Sequence, residues 1–169
     1  MLENSRELSH VVNPYILEFN SFCEKNMLIG KVKADHIGLK CSTTEKYENQ
    51  RRLFESDSIF IYQSVISKRR ISIIGLNGGV KTIVGELRYV ELSDQKPDNS
   101  QKDCVDHLEI VPVGISYEEL VSDLQKSGVV LKEIVRPHHT TYDVVLPSGF
   151  IVKLSREMLV DKIKREEMK

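Results

Sequence analysis

Two histidines of this chain stand in nearly the same setting. Asp35-His36-Ile37 and Asp106-His107-Leu108 each place an Asp-His pair ahead of an aliphatic residue, about 71 residues apart. Both stretches alternate as strands do, and alternate side chains of a strand share a face. His36 then shares its face with Gly38 and Lys40, and His107 shares its face with Glu109. Gly38 would leave room for something to come close. Two imidazoles and one carboxylate are the ligands of a facial triad, which suits iron(II), zinc, manganese or nickel. A lone strand histidine is more often structural than a ligand; the repetition is what favours a metal.

Other groups weigh less. His138-His139, after Pro137, could supply a metal ligand or an acid-base group, but neighbours on a strand face opposite sides, so at most one enters a cavity. Lys68-Arg69-Arg70 reads as a solvated hairpin turn rather than a phosphate clamp. Asn77-Gly78-Gly79 reads as a turn, since no Lys-Ser/Thr follows it to make a phosphate loop. Three cysteines without a C-x-x-C pair fit neither a disulfide scaffold nor a thiolate zinc site. Cys41 and Cys104 are expected to be inert, and reduced thiols point to the cytoplasm. No Ser-His-Asp arrangement stands out.

The elements that must position the histidines repeat as well. A helix is expected over Ser5–Lys25, starting or kinking at Pro14. The first half then reads as a strand at Asp35–Cys41, a helix capped by Ser42 or Thr43 and running to about Ser56, and strands at Ile59–Ile66, Arg70–Leu76 and Thr82–Leu92. After a polar linker, Ser93–Asp103, the order restarts: a strand from Asp106, a helix from Ser116 to Ser127, then strands at Val129–Arg136, Thr141–Leu146 and Phe150–Leu154. Ser155 is expected to cap a closing helix, Arg156–Lys169. An internal repeat of this kind constrains the topology. The reading is α+β: two βαβββ modules, 35–92 and 105–155, joined in one curved mixed sheet with a cavity, in a single domain with a helical extension over 1–34 and a C-terminal helix.

The bulk numbers set limits. The 169 residues favour one domain, and a net charge of -1 argues against a nucleic-acid binder. No apolar run approaches the ~20 residues that span a bilayer, and MLENSRELSH lacks the apolar centre of a signal peptide. The expectation is a soluble cytoplasmic protein with no membrane partner; a homodimer stays open.

Paired βαβββ modules, each opened by Asp-His-aliphatic, resemble the glyoxalase/extradiol dioxygenase (vicinal oxygen chelate) superfamily. The resemblance is nearer to its YecM-like branch, bacterial proteins regarded as metal binders. It is carried by DHIGLKC (35–41), VGELRYVELSDQKP (84–97), VDHLEIVP (105–112) and LPSGFIVKLS (146–155). The resemblance implies metal ligands on the first and last strands of each module: His36, Glu91, His107 and a fourth acid. Lys153 stands where that acid belongs, and the YecM-like branch is expected to carry a basic residue there too. Glu91 is thereby favoured as the carboxylate, with Glu109 an outer partner or substitute.

An ammonium about 5 Å from a divalent ion would cost roughly 7 kcal/mol at an effective dielectric near 20. Lys153 therefore points away from a metal, pairs with a bound anion or with Glu109, or excludes the metal. Lys40 raises the same question, and two lysines in the cup would favour an anionic, oxygen-rich small molecule. Two functions follow. One is a metal-dependent isomerase, lyase or dioxygenase in which Glu109 moves a proton; the other is a non-catalytic protein that binds small ligands in the same cup.

Overall fold

The computed structural model describes residues 7–66, 68–136 and 139–167. Its elements are α1 (Glu7–Lys25), β1 (Val32–Lys40), α2 (Thr44–Glu55), β2 (Ser58–Ile66), β3 (Arg69–Thr82), β4 (Gly85–Ser93), β5 (Cys104–Pro112), α3 (Tyr117–Lys126), β6 (Lys132–Arg136), β7 (His139–Val145), β8 (Ile151–Leu154) and α4 (Leu159–Glu167). The strands form one mixed sheet in the order β2-β3-β4-β1-β5-β8-β7-β6. Each half is the expected βαβββ module: β1 is parallel to its last strand β4, and β5 is parallel to its last strand β8. The modules join where β1 runs antiparallel to β5, so the order outward from the seam is the same in both directions.

Strand alternation divides the residues between two faces. Ile37, Leu39, Ile74, Val90, Leu92, Leu108, Ile110, Val152 and Leu154 join the main core with the buried sides of α1, α2 and α3. In α1 these are Leu8, Val12, Ile16, Phe19 and Cys23, spaced three or four apart. This helix lies across both modules: Asn20 Oδ1 accepts the Ile83 amide in the first, and the Tyr15 ring packs tilted against Phe150 in the second, centroids 5.0 Å apart. α3 opens with a full capping box between Ser116 and Glu119. Among the described residues no helix is long and apolar enough to cross a membrane.

The opposite face carries His36, Gly38, His107 and Glu109, and beside them a smaller apolar cluster. Ile71 and Ile73 of β3 pack there with Tyr62, Tyr89 and two residues of α4, Leu159 and Ile163. The closing helix thus folds over the module-one half of the cup.

Several local expectations differ from the structure. α1 does not start at Pro14, the first of the two alternatives; Pro14 lies inside the helix on the solvent side, where water can satisfy the carbonyl that loses its partner. β1 begins at Val32, ahead of Asp35, because the seam with β5 extends pairing to Val32 and Pro112. Asn77-Gly78-Gly79 is no hairpin turn but an irregularity within β3, where register shifts between Gly75 and Val80. The chain reverses instead at Ile83-Val84, inside the expected Thr82–Leu92 strand. α4 begins at Leu159 rather than Arg156, and Ser155 is not its cap: the Ser155 hydroxyl donates to Glu109, while Asp35 Oδ2 accepts the Leu159 amide at 2.8 Å. His138 and the ring of His139 lie outside the described residues.

Ile163→Ala removes a buried side chain from the cluster under α4 and is expected to cost about 2 kcal/mol. Urea unfolding should show a lower midpoint at unchanged slope, with Lys164→Ala as an exposed control.

Candidate metal centre

The two Asp-His pairs meet across the seam. Gly38 is the register partner of His107, and a Cβ placed on Gly38 would lie 2.2 Å from His107 Cε1. The missing side chain lets the imidazole lie over β1. The rings of His36 and His107 stand edge to face, with centroids 5.6 Å apart. Both are buried, at 1% and 2% exposure.

Each ring is held from behind by its preceding aspartate. His36 Nδ1 lies 3.0 Å from Asp35 Oδ2, and His107 Nδ1 lies 2.9 Å from Asp106 Oδ2. A carboxylate on Nδ1 fixes the proton there and leaves Nε2 as a lone-pair donor. Among the described residues both Nε2 atoms are buried with no hydrogen-bond partner. Two buried donors without partners are costly unless something occupies the space between them.

Carboxylates surround that space. Glu91 Oε2 and Glu109 Oε2 each lie 3.8 Å from His36 Nε2. Ligand atoms of His36, Glu91 and His107 all fall within 4.8 Å of one another, and so do those of Asp35, His36 and Glu109. The donor set fits a divalent cation: two imidazole nitrogens free on one side, plus carboxylate oxygens, at positions that small shifts would bring to ~2.0–2.2 Å from one ion.

The strand register explains where the charges went. In module one His36 is level with Tyr89, and Gly38 with Glu91. In module two His107 is level with Ile151, and Glu109 with Lys153. The positions of Glu91 and Lys153 therefore correspond, as do those of Gly38 and Glu109. The second module carries its acid one strand over, on β5 instead of β8, with lysine beside it.

Protonation follows from this arrangement. Burial would lower the His36 pKa, but Glu109, Asp35 and Glu91 outweigh it and raise it to about 9. His107 is lowered, by burial first, with Lys153 and His36 opposing the pull of Asp106 and Glu91. Glu91 is buried, which raises its pKa, but the charges of His107, His36, Lys153 and Arg69 bring it below the usual carboxylate value. Asp106 is likewise held well below it: burial is overcome by His107 and Lys40. Lys40 was expected to face a ligand; the structure instead puts its ammonium 2.5 Å from Asp106 Oδ1, behind His107. The reason is that β1 and β5 run antiparallel, which sets Lys40 level with Cys104 and within reach of Asp106. Asp35 and Asp106 are the residues sequence reasoning left without a role. Their place directly before each histidine was the available signal.

These features define a paired-module, glyoxalase-like fold with a two-histidine, two-carboxylate cluster in the cup of its sheet. The chain belongs to the YecM protein family, whose family model matches residues 12–156. Among solved structures, a structural-genomics protein designated Protein EC4020 superposes with a TM-score of 0.68 at 21% identity, over 95% of this chain and 93% of that one. A methylmalonyl-CoA epimerase from Streptomyces coelicolor gives a TM-score of 0.46 at 15% identity, over 73% of this chain and 96% of that one. An extradiol ring-cleaving dioxygenase from B.fuscum gives 0.44 at 14% identity, over 76% of this chain and 33% of that one. No curated protein matches the chain significantly.

Two outcomes are expected of the metal-free protein. Gly38→Ala must expel the His107 ring, so it should destabilise by about 2 kcal/mol and shift the His107 ring signals in NMR spectra. The folded pKa of His36 lies above the ~6.5 of a free histidine. Its contribution is thus fully present below pH ~6.5 and lost as the pH rises through about 9. Unfolding free energy should fall by ~3 kcal/mol across that window in the wild type and not in His36→Gln.

Proposed function

We propose that this chain is a divalent-metal protein whose ion is held by His36 Nε2, His107 Nε2 and Glu91, with Glu109 at its side. The observation that supports this most is the pair of buried Nε2 atoms, unpartnered among the described residues and backed by Asp35 and Asp106. Iron(II), zinc, manganese and nickel all suit two imidazoles and a carboxylate. When bound, such an ion supplies Lewis acidity and open positions for a ligand with two oxygens.

The chain's own residues would do the rest. Asp35 and Asp106 hold the imidazoles in the tautomer that donates from Nε2. Glu109 takes up or delivers a proton at the bound molecule: its Oε2 faces the cup while Oε1 accepts the Ser155 hydroxyl. Lys153 is half-buried on the same face, and its charge is felt at both Glu91 and His107. There it favours an anionic, oxygen-rich small molecule. Isomerase, lyase and dioxygenase chemistry share these requirements.

A second reading, a non-catalytic small-ligand binder in the same cup, is favoured by one observation: Leu159 and Ile163 of α4 cover the module-one half of the cup with apolar contacts.

Protein purified without a tag should contain one divalent ion by elemental analysis, and His36→Ala, Glu91→Ala and His107→Ala should each lower that content sharply. Unchanged stoichiometry in all three variants would overturn the assignment. Because an ion must displace the His36 proton, affinity should rise from pH 7 to pH 9, and calorimetry in buffers of different ionisation enthalpy should show about one proton released. Lys153→Glu should tighten metal binding. Lys153→Ala should weaken oxalate binding to the loaded protein without weakening the metal.

A further inference from the structure

An open cleft lies at the rim of the sheet, in a place expected to be a plain solvated turn. The β2–β3 hairpin turns at Lys68, and Arg69 and Arg70 already belong to β3. With Lys96 from the β4–β5 connection they line an open cleft of about 460 Å³, a size that suits a small metabolite. Four cationic side chains face it against one acid, Asp94.

That acid is already engaged. Asp94 Oδ2 accepts from Arg70 Nε at 2.9 Å and Nη2 at 2.8 Å, and its Oδ1 accepts the Thr44 hydroxyl at 3.0 Å. Arg70 is paired a second time with Glu48. Arg70 is thus part of the wall, and Lys68, Arg69 and Lys96 are left to face the cleft. Arg69 donates one Nη1 bond to the neutral side chain of Gln101, while its Nε is buried and has no partner among the described residues. Thr44, the first residue of α2, also lines the cleft, so the positive end of a twelve-residue helix opens there.

The wall is built before any ligand arrives. Gln101 Nε2 donates to the Cys41 and Asp94 carbonyls at 2.7 and 2.8 Å, and its backbone amide donates to Gln95 Oε1 at 3.0 Å. The connection read as a polar linker is pinned at both ends. A preformed cleft lined by Lys68, Arg69 and Lys96, none of which makes an ion pair among the described residues, is arranged to receive a compact anion with several acceptor oxygens.

We propose that this cleft is an anion-binding subsite for a phosphate monoester, separate from the metal cup and not dependent on it. Arg69 lies on the cup face of β3, two residues before Ile71, so the subsite sits at the cup's edge. In the β3–β4 register Ile71 is level with Ser93, the last residue of β4, so Arg69 lies beyond the end of that strand.

The test is calorimetric titration of inorganic phosphate into the full chain stripped of metal. Saturable binding is expected. A Lys68→Gln/Lys96→Gln double variant, altering two solvent-facing residues, should weaken it at least tenfold, and Arg69→Gln should weaken it further. His107→Ala, which is expected to lose metal, should leave phosphate affinity unchanged. Absence of saturable binding, or equal affinity in the double variant, overturns the subsite. Loss of phosphate binding in His107→Ala also overturns it, by locating the anion in the cup. Phosphate binding in a protein that takes up no metal sinks the metal reading alone.

Discussion

The close approach of two backbones to one imidazole is the constraint on which the rest of the site depends. His107 occupies space on β1 that any side chain at position 38 would fill. That contact exists only while β1 and β5 pair antiparallel in their present register. A slip of one residue would turn one histidine toward the helical face of the sheet. The apolar residues opposite enforce the register. Ile37 and Leu108, next in sequence to the histidines, are both buried under the helices, so the core and the cup cannot be rearranged independently.

Charge is the second organising principle. Two imidazoles and four carboxylates, Asp35, Glu91, Asp106 and Glu109, converge in a region that is largely out of water. Burying acids is tolerated where partners satisfy them. Lys40 answers Asp106, the Leu159 amide and the His36 ring answer Asp35, and the Ser155 hydroxyl answers Glu109. Besides Asp35 Oδ1, what stays unanswered among the described residues of the site is the space before the two Nε2 atoms. There a proton on His36 or a metal ion does the same electrostatic work, which is why the His36 pKa rises despite burial. The modules share this work unequally: β4 contributes an acid where β8 contributes Lys153.

The helices take opposite sides of the sheet for different ends. α1 spans both modules on the core side and ties their outer turns together. α4 covers the module-one half of the cup, and Asp35 joins its first amide to the His36 ring. One carboxylate oxygen thus connects the orientation of a candidate ligand to the seating of the helix above it.

Much of this was written in the linear pattern. The repeated Asp-His-aliphatic opening, the strand alternation and the helix-capping residues set the βαβββ order, because periodicity and caps are local properties. They also placed His36, His107 and Glu109 on one face each. The resemblance supplied Glu91. The tertiary structure decided what spacing could not express: that Gly38 makes room for His107, that Lys40 is taken by Asp106, and that Arg69 and Arg70 leave the turn to line a cleft with a residue from a distant connection. It also decided that Asn77-Gly78-Gly79 is absorbed into β3 and that Asp35, not Ser155, caps the last helix. For Gly38, Lys40, Arg69 and Asp35 the deciding partner is remote in sequence, as far as 124 positions for Asp35 and Leu159. Which of several acceptors or turns a residue uses is then fixed by what the fold brings beside it, since a local signal ranks the choices and a tertiary contact selects among them.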